Sequence, residues 1–174
     1  MLLVMRTGST HGYARNATWR WLLLVNLAAA FYSVGTVWLA QLNWQLWQYV
    51  GRASFDAYHH AWFRGIWWAI FPVAGVAVLG VCAQVRWRPP RVPVWAVWSA
   101  LVLQVVTYVG TGVGWGPGQA ALKEAVLPNG GLAPQYVVLL QTNWLRVALI
   151  TLAGLLELWM AVRSFVAADD TSAC

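Results

Sequence analysis

The stretch FDAYHHAWFRG (55–65) crowds Asp56, Tyr58, His59, His60 and Arg64 onto successive turns of a helix, just before a long apolar run. Imidazole titrates near neutral pH, and a histidine at an interface is more often solvated or hydrogen-bonded than catalytic. Asp56 and His60 lie four residues apart, as do His60 and Arg64, so each pair can meet on a helix. A second group, QTNWLR (141–146), sets Asn143 and Arg146 three apart. Arg146 lies either well inside the hydrocarbon or near the outer interface, where it could snorkel. Glu157 is a lone acid about 16 Å further along the same helix, too far to pair with Arg146. Asn26 or Ser33 could partner it, or it could stay neutral and donate a proton.

These groups need elements to hold them, and composition says which. The chain of 174 residues is 60% hydrophobic and 9% charged. Too few charges remain to clothe a water-soluble exterior, so the expected class is an all-α, polytopic membrane four-helix bundle forming a single domain. Four runs can span a hydrocarbon core of about 30 Å. They cover roughly Trp21–Asn43, Trp62–Gln84, Val94–Gly114 and Tyr136–Arg163. They are continuously apolar rather than alternating, which favours helices over barrel strands. The loop 115–134 contains QAALKEAVL between Gly/Pro clusters, and its helix formers predict a short interfacial helix, either a lid or a plain connector.

Arginine sets the orientation. Arg6, Arg15 and Arg20 precede the first span, Arg86, Arg88 and Arg91 fill the second loop, and Arg163 follows the fourth span. Positive residues stay inside, so both termini and the second loop are expected on the cytoplasmic side of the inner membrane. Pro89, Pro90 and Pro93 stiffen that loop. Net charge is +6, scattered around the spans, which fits topology and not nucleic-acid binding. No signal peptide is expected, and the NAT sequon at Asn16 reads as a chance match. Cys82 and Cys174 offer neither a disulfide framework nor metal-ligand spacing, so no metal or cofactor is expected.

With that topology, all four helices bring polar side chains to one end. The first leaves through QLNWQLWQYV (41–50), where Gln41, Gln45 and Gln48 share a face beside Trp44. The third carries Gln104, Tyr108 and Thr111 on one stripe. Catalytic candidates are therefore His59, Arg146, Asn143, Asp56 and Glu157. Gln41, Trp44, Gln45, Tyr58, His60, Gln104, Tyr108 and Trp144 are candidates for substrate contact. Gln48, Arg52 and Asp56 also suit plain contact with water and headgroups. Of the 14 Trp, Trp19, Trp21, Trp87, Trp95 and Trp98 fit an inner belt, and Trp44, Trp47, Trp62 and Trp115 an outer one. Trp38, Trp67, Trp68, Trp144 and Trp159 are left to pack or to wall a pocket.

On the pair Tyr58–His59 opening the second helix, and Asn143 with Arg146 in TNWLR opening the fourth, the chain resembles the small four-helix membrane proteins that include anthrone oxygenases of polyketide pathways. The resemblance implies oxygenation of a polycyclic phenolic substrate without metal or flavin, with His59 as base and Asn143 and Arg146 binding the oxyanion. Two other functions fit the residues. A cyclase of prenylated substrates would use Asp56 or Glu157 as acid and Trp faces to stabilise a carbocation. A small proton-coupled transporter or accessory subunit would use Glu157, and with four spans would need association of copies. The partners expected are a lipophilic small molecule and the bilayer, with homo-oligomers left open.

Overall fold

A computed structural model describes residues 10–89 and 91–169, with side chains from Trp19 to Phe165 apart from Pro90. Arg6, Pro90 and Cys174, named above, lie outside the described residues, as do the side chains of Arg15 and Asn16. The chain is helical almost throughout: α1 (Thr10–Leu46), a 3-10 turn (Trp47–Tyr49), α2 (Arg52–Arg86), α3 (Val94–Gly110), a π-helical turn (Thr111–Trp115), α4 (Gly116–Ala120) and α5 (Pro134–Asp169). Because α3, the π turn and α4 run on without a break, four rods result, each long and apolar enough to cross a membrane.

Each rod follows from local sequence. α1 contains no proline after Thr10 and a single glycine after Gly12, Gly35, so nothing interrupts its ladder. Pro134 begins α5, where a missing N–H costs nothing. α2 tolerates Pro72 in its interior; the ring removes the hydrogen bond to the Trp68 carbonyl. The second loop is a tight link from Arg86 to Val94, in which Pro93 adopts extended backbone and Arg91 the left-handed region.

α1 lies centrally against α2 and α5, while α3 packs mainly on α5 and more loosely on α2. Close approach is made by small residues: Ala29, Ala30, Ala40, Ala77, Ala96, Ala100 and Ala153 are all buried. At Gly80 an added Cβ would stand 2.6 Å from the Asn26 side-chain oxygen, so only glycine lets α2 approach α1 there. One apolar cluster (Trp19, Leu23, Val81, Val97, Met160) fills the end with the second loop, called the lower end here. Another (Trp44, Trp47, Phe55, Leu122, Tyr136, Leu139) fills the upper end. The exterior is apolar as well: Trp68, Leu79 and Val113 are each at least 70% exposed, a surface suited to hydrocarbon rather than water.

The rods overrun the expected spans: α1 already begins at Thr10, before Trp21, and the third rod continues past Gly114 to Ala120. α2 begins at Arg52, a good two turns before Trp62, because the polar start FDAYHH is itself helical and projects beyond the apolar run. The short helix after the third span comprises Gly116–Ala120, not QAALKEAVL (119–127). Leu122 and Ala125 are instead drawn down into the upper cluster. Residues 121–133 form an irregular hairpin closed by a bridge between Val126 and Leu132, with Gly130 at φ 83° in its turn.

Candidate functional site

The seam between α1 and α5 holds the densest polar group in the upper half. Gln41, Trp44, Asn143 and Arg146 are all buried, from 0% to 4% exposed. Their spacing explains this: Gln41 and Trp44 are three apart on α1, Asn143 and Arg146 three apart on α5, and the two faces meet. The Asn143 amide donates to the Gln41 side-chain oxygen, and Gln41 donates to the Leu140 carbonyl at 3.4 Å. Tyr136 fixes the register by donating to the Trp44 carbonyl.

Arg146 is the unusual member. Its guanidinium carbon lies 5.3 Å from the ring centre of Trp44 and 5.8 Å from that of Trp115. Its Nε has no hydrogen-bond partner, and among the described residues no carboxylate comes within ion-pair distance. Ring faces attract a cation by about 0.5–2 kcal/mol, whereas placing an arginine at the centre of a span costs about 2.5–3.5 kcal/mol on insertion scales. The arrangement favours an anion or a strongly accepting oxygen beside it.

Trp115 reaches Arg146 because of the π turn. The widened turn shifts the register of Thr111–Trp115, and the indole folds back over Gly110, where a Cβ would come within 2.7 Å of the ring. Gly116 is required too, since a Cβ there would meet the Thr111 carbonyl at 2.6 Å. Trp115 then donates to Thr142 at 3.2 Å, which holds the ring against α5. Single π turns of this kind recur at functional sites.

Beside Arg146 opens a cavity of ≈ 320 Å³, between α2 on one side and the π turn with α4 on the other. Trp62, Phe63, Ile66, Trp67, Ile70 and Phe71 form the α2 wall, Thr111, Gly112, Pro117 and Gln119 the opposite one, and Ala40, Trp44 and Arg146 the back. Its walls are apolar, yet Trp44 Nε1, Trp62 Nε1, Gln119 Nε2 and Arg146 Nε are buried N–H groups without partners, and Asn143 Oδ1 behind them is an unpaired acceptor. Buried polar atoms are ordinarily satisfied; these lie in and behind the cavity wall, under its accessible surface. A wider groove of ≈ 810 Å³ on the far side of α4 carries no charged side chain.

His59 is buried in the same half, one aromatic layer away. Its ring stacks on Phe55 at 5.7 Å, meets Trp47 edge-on at 5.2 Å, and approaches the Gln119 backbone. Trp47 in turn packs on Trp44 at 5.8 Å. His59 Nε2 is unpaired. Phe63 and Gln119 border both the imidazole and the cavity, so they separate one from the other.

The other sequence candidates lie elsewhere. Asp56 and His60 do pair, at 3.5 Å, but both are exposed and project above the site. Tyr58 is exposed and hydrogen-bonds with Asn43. Gln45 is half-buried, and its carbonyl accepts from Gln48. Tyr108 donates to Ser33 at 3.2 Å, and Gln104 is buried without partners, both away from the cavity lining. Trp144 is 44% exposed, edge-on to Trp38. Glu157 lies in the lower half, fully buried, accepting from Gln84 at 3.2 Å with Asn26 beside it. Sequence reasoning missed Gln119 and left Trp62 and Trp115 to a surface belt. The glycines flanking Trp115 were the available signal.

No protein-family profile, no characterised protein and no solved structure matches the chain.

Proposed function

We propose that the protein binds a lipophilic, planar molecule bearing an anionic or strongly accepting oxygen in the Arg146 cavity, and that it oxygenates a phenolic substrate of the anthrone kind there. One observation carries this reading: a buried guanidinium without a counter-charge, set in the wall of an otherwise apolar, Trp-lined cavity. Aromatic walls take the rings, and Arg146 takes the oxygen. Charge-assisted hydrogen bonds of this kind contribute about 1.5–3 kcal/mol each.

The reaction balances with dioxygen as the co-reactant. A base removes a proton from the activated ring carbon, and the resulting enolate, its oxygen held by Arg146, gives electrons to dioxygen. A carbon–oxygen bond forms, and the hydroperoxide then loses water as a second C–H proton leaves. One CH2 becomes a carbonyl, one dioxygen is consumed and one water is released. His59 is the nearest imidazole and serves as base once Phe63 rotates aside. Stabilising the enolate oxygen at a water-poor site lowers the barrier where charge develops. In this reading the protein sits in the inner membrane, with its termini cytoplasmic and the cavity in the opposite leaflet.

Two details weigh against the alternatives. No carboxyl group lines the cavity, so a cyclase would have no acid in place. Glu157, the residue a proton-coupled transporter would use, is locked against Gln84 in the packed lower half.

The test is oxygen uptake by the purified protein in lipid nanodiscs supplied with a hydroxyanthrone. One dioxygen should be consumed per substrate, and Arg146→Gln should lower the rate by about 10²–10³-fold, as removal of an oxyanion donor does. Wild-type turnover in Arg146→Gln would end the proposal.

A further inference from the structure

The 121–133 hairpin packs into the upper cluster, and none of its residues lines the cavity. Leu122 and Ala125 of the 121–133 hairpin are buried in the upper cluster, and Arg52 clips the hairpin through Glu124 at 2.9 Å. The α2 side is different. There the cavity shares Phe63, Trp67 and Phe71 with a second hollow of ≈ 430 Å³ on the outer surface of the helix, which Arg64, Trp68 and Pro72 also line. The three shared residues are four apart, so they form a single column along α2, one ring thick. Phe63 and Trp67 meet edge-on at 6.1 Å, while Trp67 and Phe71 stack at 4.0 Å.

Trp67 and Phe71 are 48% and 40% exposed, so their rings can swing outward without opening the packed core. Pro72 follows directly and leaves the backbone ladder short of a hydrogen bond at that level. Arg64 is exposed at the head of the hollow and pairs with no carboxylate among the described residues.

We infer that the outer hollow is a first binding site for the same class of molecule, a planar apolar body with an anionic oxygen, and that the Phe63–Trp67–Phe71 column is the partition it crosses. The inference rests on the Arg146 reading given above. Arg64 attracts the oxygen, the exposed faces of Trp67 and Trp68 take the rings, and rotation of the column lets the molecule slide inward. The oxygen is thereby handed from one guanidinium to the other, and access is lateral, from the bilayer.

The probe is a dihydroxyanthraquinone, whose binding is followed by stopped-flow quenching of tryptophan fluorescence in nanodiscs of neutral phosphatidylcholine. Trp67→Leu with Phe71→Ala should raise the association rate about tenfold, the mark of a lowered entry barrier, and raise the dissociation rate at least as much, because the same rings also contact the bound molecule. Arg64→Gln should slow association about three- to tenfold, as loss of a steering charge does. Unchanged rates in the Trp67/Phe71 variant, with binding abolished by Arg146→Gln, would overturn the lateral route and leave the cavity standing. An Arg64→Gln effect seen only after phosphatidylglycerol is added would make the hollow a lipid headgroup site and overturn its assignment. Wild-type binding by Arg146→Gln would remove the cavity, and this inference with it.

Discussion

Arg146 lies over the face of Trp44 with its guanidinium carbon 5.3 Å from the ring centre, and among the described residues no carboxylate is near enough to neutralise it. In the empty protein that unpaired charge opposes folding; with an anionic ligand present it becomes the chief attraction. Arg146→Met should therefore stabilise the empty protein and destroy binding. An arginine at the centre of a span costs about 2.5–3.5 kcal/mol on insertion scales, so an apolar replacement of similar volume recovers a gain of that order, and each kcal/mol raises the melting temperature by about 2–4 °C at this chain length. Thermal unfolding with and without a dihydroxyanthraquinone measures both effects. A stabilised variant that still gained from the ligand would refute the pairing.

Gly112 offers a test that leaves Arg146 untouched. It lines the cavity, and a Cβ placed there meets nothing within 4 Å. Gly112→Leu should fill the cavity, keep the fold and weaken ligand binding at least about tenfold, or roughly 1.4 kcal/mol. Isothermal titration in nanodiscs reads the affinity, and unaltered binding would mean that the ligand sits elsewhere.

His59 and His60 are neighbours with opposite fates, one 3% exposed and the other outside with Asp56. His59→Ala should abolish oxygen uptake while the dissociation constant changes less than about threefold, since a base acts on the barrier more than on ground-state affinity. His60→Ala and Asp56→Asn should leave turnover within about twofold, because an exposed pair contributes at most about 1 kcal/mol. Full activity in His59→Ala would transfer the base role to another group.

Glu157 separates the oxygenase from a transporter. Glu157→Gln retains the shape and a hydrogen-bonding partner for Gln84, so turnover should persist. Glu157→Leu strands the buried Gln84 amide and should destabilise the protein by about 1–3 kcal/mol. Melting curves and oxygen uptake on the two variants distinguish these outcomes. Loss of a proton-coupled flux in Glu157→Gln, with no effect on stability, would favour transport.

The four rods were legible because an apolar run long enough to span a bilayer has few other folds open to it. Helix starts were less so: Arg52–Tyr58 has no hydrophobic period to announce it, being exposed but for Phe55. QAALKEAVL has good intrinsic helix propensity, yet burying Leu122 and Ala125 against the upper aromatics overrides that preference. At the site, Gln41, Asn143 and Arg146 could be grouped by helical spacing. Gln45 sits on the same nominal stripe as Gln41 but rotates out of the seam, since a spacing of four drifts around a helix of 3.6 residues per turn. Gln119 and Trp115 were hidden because their placement depends on the π turn, whose extra residue breaks the period from which faces are read.

The ring column of α2, shared by the cavity and the outer hollow, has a consequence for any affinity measured on this protein. For a ligand that enters from the bilayer, occupancy answers to the mole fraction of ligand dissolved among the acyl chains, not to its concentration in buffer. Adding empty vesicles at fixed total ligand will dilute the ligand within the hydrocarbon, and the apparent dissociation constant will climb in proportion to the lipid present.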